Sequence, residues 1–167
     1  MLQMVWPVPA DRQVSVITSQ VQIVMASHVN GTGRLFGGQL LAWIDVAAAV
    51  EARRHTRCQV TTAAVDNLHF LEPAFLDETV RLDARVTWTG RTSLEVRVDS
   101  YVESLAGTER LINRAYLVFV ALDGEGKPAT FPSFKPSTED EKQEWAQAEK
   151  RQAQRLSARQ MPLHGSS

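Results

Sequence analysis

The sequence predicts an α+β domain in which one long apolar helix is wrapped by a curved antiparallel sheet. Three observations predict it. Residues 40–50 set apolar side chains at helical spacing, with Asp45 the one ionisable group among them. Residues 79–89 alternate apolar and polar with a period of two, as a half-buried strand does. The order along the chain is one strand, one helix, four strands and a polar tail. A lone helix that is apolar over most of its surface must be covered, and a sheet curved around it is the natural cover.

Taken in order, residues 14–25 mix Val, Ile, Thr and Gln and read as a strand. Residues 28–38 form a glycine-rich turn holding Gly31, Gly33, Gly37 and Gly38. From Gln39 the character becomes helical, with Leu40, Leu41, Ile44, Ala47, Ala48 and Val50 recurring on one side. Glu51, Arg53 and Arg54 end the apolar stretch, and the two arginines suit a helix C-terminus. Residues 59–71 are rich in Val, Thr and aromatics and stop at Pro73. In 79–89, Val80, Leu82, Ala84, Val86 and Trp88 are expected on one face, with Arg81, Asp83, Arg85, Thr87 and Thr89 on the other. Gly90-Arg91 is a short turn, after which Leu94, Val96 and Val98 alternate with Glu95, Arg97 and Asp99 to complete a hairpin. Residues 111–122 are more continuously apolar and read as a well-buried strand, followed by the turn Asp123-Gly124-Glu125-Gly126.

Residues 137–160 are charged on every face. Ser137 with Asp140 offers a capping box, and the expectation is a solvated helix, loosely docked or engaged in assembly. The expected division is an N-terminal extension 1–13, a domain 14–136, a charged helix 137–160 and a disordered tail 161–167.

The bulk numbers narrow the function. At 167 residues and 44% hydrophobic the chain forms one domain with a real core. A net charge of −1 argues against nucleic acid, whose phosphates require a basic excess, and gives no reason to expect a membrane partner. Cys58 is the single cysteine, so no internal disulfide forms, and it reads as structural. With no signal-peptide pattern and no spanning segment, a cytoplasmic location is expected.

Three features can carry chemistry. Asp45 has Leu41, Ala42, Ala48 and Ala49 as its helical neighbours. A carboxylate there either takes up hydrogen bonds or a charge partner, or is poised as a general base; a structural aspartate fits the position equally well. Gly37-Gly38 stands where the helix begins, so its amides suit an oxyanion, although a tight strand-to-helix turn explains it too. Asn30 is able to donate its amide to a carbonyl, or simply to shape the turn. His28, His55, His69 and His164 do not cluster with carboxylates, so no metal is expected. His69 is expected packed or hydrogen-bonded, and Asp66 on the strand surface or hydrogen-bonded. Ser93 and Ser100 lack a nucleophile-elbow context.

The run Asn30-Gly31-Thr32-Gly33-Arg34-Leu35-Phe36-Gly37-Gly38, with an acid seven positions after the second paired glycine, resembles the signature of the cytosolic acyl-CoA hydrolase family. Residues 60–70 are similar to that family's second strand, and Gly90-Arg91-Thr92-Ser93 to its third hairpin turn. The resemblance covers roughly residues 14–145. It implies a hotdog fold, dimers assembled as trimers of dimers, and active sites at the dimer interface. It further implies thioester hydrolysis, with Asp45 as general base or nucleophile, Asn30 of the partner orienting water or thioester, and Gly37 and Gly38 polarising the carbonyl. The anionic coenzyme A (CoA) would meet Arg91 with Gly90, Thr92 and Ser93, and secondarily Arg54. Trp43 is a candidate for the pocket floor. No cofactor is implied beyond the CoA of the substrate. A hydratase or dehydratase would want a His–carboxylate pair, for which only His28 is near; a ligand sensor would not require Asp45 and Asn30 together.

Overall fold

The computed structural model describes residues 17–160. The expected extension 1–13 and tail 161–167 lie outside them. Five strands and two helices are formed: β1 (Thr18–Ile23), α1 (Gly37–Thr56), β2 (Gln59–Phe70), β3 (Thr79–Thr89), β4 (Ser93–Glu103), β5 (Glu109–Leu122) and α2 (Glu139–Gln160). All strand pairings are antiparallel, in the order β1-β3-β4-β5-β2. Among the described residues no helix is long and apolar enough to cross a membrane.

The α1 helix begins two residues before Gln39 and is capped at its C-terminus by Arg57, whose φ of 60° lets its amide reach back to the Arg53 carbonyl at 2.9 Å. Its buried positions are Leu40, Trp43, Ile44, Ala47, Ala48, Glu51, Ala52 and Thr56, the three-and-four spacing of one helical face. Three alanines in that stripe let the helix lie close against Val80, Leu82 and Ala84 of β3 and Val96 and Val98 of β4. This is the core, and α1 contacts all five strands around it.

The opposite face of the sheet is not solvated. A β-bulge between Val86 and Trp88 shifts the β3 alternation. Trp88 therefore leaves the Val80 face and packs against Trp145 of α2, with ring centroids 6.3 Å apart. Thr87 is buried and donates to the Glu95 carboxylate at 2.8 Å. Glu95 is wholly buried, and Arg151 and Arg155 of α2 close over it at 2.8 and 3.0 Å. Glu144 bridges Arg97 and Arg151, and Arg155 reaches Asp66 of β2. The α2 helix is thus docked through buried ion pairs, which corrects the expectation of a loose, solvated helix. Its cap also differs: Thr138 receives the Glu141 amide while Glu141 accepts from the Thr138 amide, a capping box one residue later than expected.

Candidate active site

The turn before α1 is organised by Asn30. Its Oδ1 accepts from the Thr32 amide at 3.0 Å, the Thr32 hydroxyl at 2.7 Å and the Arg34 amide at 3.2 Å. Gly33, at φ 74°, donates to the Asn30 carbonyl. Two backbone donors on Oδ1 fix the amide's orientation and turn Nδ2, with its two N–H groups, away from the loop. The turn-forming and donor readings of Asn30 are therefore compatible.

Phe36 caps α1 without a side-chain hydrogen bond, and no acid stands in the first turn. Its carbonyl accepts from Gln39 and Leu40. The amides of Gly37 and Gly38 have no acceptor among the described residues. A Cβ on Gly38 would sit 2.6 Å from Cε1 of Phe36, and one on Gly37 would sit 3.3 Å from Cζ of Phe70. Two aromatic rings thus account for the paired glycines, and the result is an uncapped helix terminus with its partial positive charge exposed.

Asp45 is half-buried, and its Oδ1 accepts from the Thr62 hydroxyl at 2.7 Å. A bulge in β2 follows Thr62 immediately. Thr62 was not legible in the sequence, since nothing local separates it from Thr61; only the docking of β2 beside α1 singles it out. Asn30, Gly37, Leu40 and Phe70 help to line a cleft of about 310 Å³. Asp45, Thr62 and Gly38 are outside that lining, so one chain does not gather Asn30 and Asp45 into one pocket.

The deeply desolvated carboxylate of α1 is Glu51, not Asp45. Glu51 is 4% exposed and accepts from the Thr18 hydroxyl, which itself accepts from Nη1 of Arg54 at 2.9 Å. Burial pushes the Glu51 carboxyl up to about 7, against the lowering effects of Thr18 and Arg54. Arg54 is thus held against β1. In the β3–β4 hairpin, the Gly90 amide donates to the Ser93 carbonyl and the Thr92 carbonyl accepts from Ala121. A Cβ on Gly90 would meet the Trp88 ring at 2.7 Å, which explains the glycine structurally. Arg91 is exposed and makes no ion pair with any described residue.

The remaining candidates are dispersed. His28 accepts from the Met25 amide and packs edge-on to the buried Trp43, which does not line the cleft. His55 contacts the Pro132 carbonyl, and burial lowers its pKa. The His69 side chain is exposed on β2, Asp66 pairs with Arg155, and His164 lies outside the described residues. Cys58 is free and contacts the Thr56 carbonyl. Ser100 is buried in β4. No metal-binding cluster occurs among the described residues.

Comparison with known proteins agrees with this architecture. The model of the thioesterase superfamily matches residues 32–106. The acyl-CoA thioester hydrolase YkhA of Bacillus subtilis is 41% identical over 119 residues, 71% of this chain and 69% of its own. A hexameric acyl-CoA thioesterase superposes with a TM-score of 0.83 at 35% identity, over 92% of this chain and 97% of its own. The acyl-CoA hydrolase of Staphylococcus aureus, solved with butyryl-CoA, CoA and CoA disulfide, gives 0.79 at 34% identity, over 86% and 91%. That protein has also been solved with an aspartate, a threonine and an asparagine each replaced by alanine. By its sequence signature, its helix-in-sheet fold and these likenesses, the chain belongs to the hotdog thioesterase superfamily, among the acyl-CoA thioester hydrolases.

Proposed function

We propose that the protein hydrolyses acyl-CoA to a fatty acid and CoA, with Asp45 as the general base. The observation that carries this reading is the Asp45–Thr62 hydrogen bond: it fixes one carboxylate oxygen and leaves Oδ2 to take a proton from water. The deprotonated water attacks the thioester carbonyl, and collapse of the tetrahedral intermediate expels the CoA thiolate, which takes up a proton. Direct attack by the carboxylate through an anhydride uses the same residues.

The developing oxyanion needs donors about 3 Å away. The free amides of Gly37 and Gly38, of which Gly38 is the more exposed, and Nδ2 of Asn30 supply them. Gly38 and Asp45 are seven residues apart on one helix, roughly 10 Å along its axis. A single carbonyl group does not meet both. Asn30 and the glycine amides of one subunit therefore serve Asp45 and Thr62 of its partner, in a dimer-based assembly arranged as a trimer of dimers. The hexameric thioesterase of the same fold and the CoA complex of the Staphylococcus aureus relative support this reading, as does the match in residue type between its alanine variants and Asp45, Thr62 and Asn30. No metal or cofactor enters the chemistry.

The test is thiol release from acetyl- to palmitoyl-CoA. Asp45→Ala should abolish turnover while the fold and assembly persist, and Thr62→Ala should lower kcat about tenfold by freeing the carboxylate. Normal turnover by Asp45→Ala would end the mechanism. Tight acyl-CoA binding without turnover by the native protein would favour a sensor.

A further inference from the structure

The alternation of β2 is broken twice, and the breaks decide which side of the sheet its side chains reach. Residues directly opposite in an antiparallel pair share a face. Thr62 stands opposite Phe119, which belongs to the core under α1. Asp66 stands opposite Tyr116, whose ring lies 3.8 Å from the Arg151 guanidinium of α2. Four residues apart, Thr62 and Asp66 would share a face in an unbroken strand. The bulge between Thr62 and Ala64 sends them to opposite sides, Thr62 to Asp45 at 2.7 Å and Asp66 to Arg155 at 2.5 Å. A second bulge, between Asp66 and His69, returns Phe70 to the α1 side, where its ring flanks Gly37.

Packing alone does not hold β2 in this register. None of its twelve residues is fully buried, and among the described strands it pairs only with β5. Such a strand is prone to slip, and a slip of one residue would carry Thr62 to the face away from Asp45. Among the described residues three side-chain hydrogen bonds tie β2 to other elements: Thr62 to Asp45, Asn113 of β5 to the His69 carbonyl at 2.7 Å, and Arg155 to Asp66. The last is the one ion pair of the strand among those residues, and it acts between the two bulges. Arg155 is itself fixed, because its guanidinium donates to Gln152 at 2.9 Å and to the buried Glu95 at 3.0 Å. We infer that Asp66 is a positioning residue for the reaction: its ion pair with Arg155 anchors β2 to α2 and so keeps Thr62 where it orients Asp45. No residue of α2 lines the cleft, yet the helix bears on the chemistry through this anchor. The inference rests on Asp45 serving as the base.

The experiment measures thiol release from one acyl-CoA by the native protein, Asp66→Asn, Asp66→Glu, Thr62→Ala and the double variant Asp66→Asn/Thr62→Ala. Asp66→Asn strands no charge, since Arg155 keeps Glu95. It should lower kcat about fivefold while KM changes by less than about twofold, because Asp66 touches no substrate. Asp66→Glu, which restores the carboxylate, should recover most of the loss. In the Thr62→Ala background Asp66→Asn should cost nothing further, because the two residues act through one contact. Full kcat in Asp66→Asn, an equal loss in both backgrounds, or a glutamate no better than the asparagine overturns the inference. Hydrogen exchange of the backbone amides in residues 59–70 separates the anchor from the hydrolase reading. Exchange there should be faster in Asp66→Asn than in the native protein, with β3 and β4 unchanged; equal exchange in β2 overturns the anchor. No thiol release by the native protein overturns the hydrolase reading instead, and the anchor then stands or falls on the exchange.

Discussion

Glu51 makes the stability of this protein fall as pH rises, and Glu51→Gln should remove that dependence. The carboxyl is 4% exposed, and desolvation lifts its pKa from 4.5 to about 7 despite the Thr18 hydrogen bond and the Arg54 charge. A group whose folded pKa is raised contributes stability that is fully present below the unfolded value and is lost as pH rises through the folded one. The window is therefore pH 4.5 to about 7. The difference of about 2.5 units corresponds to roughly 3 kcal/mol, at 1.36 kcal/mol per unit. Glutamine keeps an oxygen to accept from Thr18 and has no charge to desolvate. Its own burial cost does not vary with pH, so the signal is the pH trend of the difference between the two proteins. Urea unfolding of both at pH 5, 6, 7 and 8, at one fixed protein concentration because assembly contributes to stability, reads it directly. The native protein should lose about 2–3 kcal/mol relative to Glu51→Gln across that range. A difference that stays flat from pH 5 to 8 would refute the reasoning.

Two further outcomes follow from side-chain geometry. Gly38→Ala places a methyl 2.6 Å from the Phe36 ring, which is exposed enough to swing aside; unfolding free energy should change by less than about 1 kcal/mol while kcat drops about tenfold or more through the disturbed amide. Steady-state thiol release and thermal melting together check this, and an unchanged kcat removes Gly38 from the mechanism. Glu95→Ala removes the buried carboxylate that Arg151 and Arg155 share, leaving them Glu144 and Asp66 alone, and should cost about 3 kcal/mol, seen as a lower urea midpoint and faster proteolysis of α2; a loss below about 1 kcal/mol would mean that the Glu95 ion pairs do not hold the helix.

The parts of the fold that the sequence discloses are those written in apolar spacing. The α1 stripe, the hairpin of β3 and β4 and the buried β5 are legible because a period of 3.6 or 2 in hydrophobic residues has one structural meaning. The docked stripe of α2 has the same helical period, but it is composed of Glu144, Trp145, Ala148, Arg151, Gln152 and Arg155. Four of the six are charged or amide side chains, so a hydrophobic reading returns a solvated helix. Glu51 was legible only as the polar end of an apolar run, because its burial depends on where β1 crosses α1. The bulge in β3 has no marker in the sequence, so Trp88 was assigned to the wrong face. Of the candidate site, Asp45, Asn30 and the paired glycines stand out as polar or small residues where the local pattern does not need them. Thr62 does not, because threonine is ordinary in a strand and its role is defined by a neighbour seventeen residues away.

The sheet carries α1 on one side and α2, held by salt links, on the other. The sheet also has margins: among the described strands β2 is hydrogen-bonded only to β5, as β1 is only to β3, and along β2 and just beyond it Val65, Phe70 and Leu71 are exposed. A strand with one side unpaired can take a neighbour sideways, strand laid against strand, and the twelve residues of β2 offer a long rail for it.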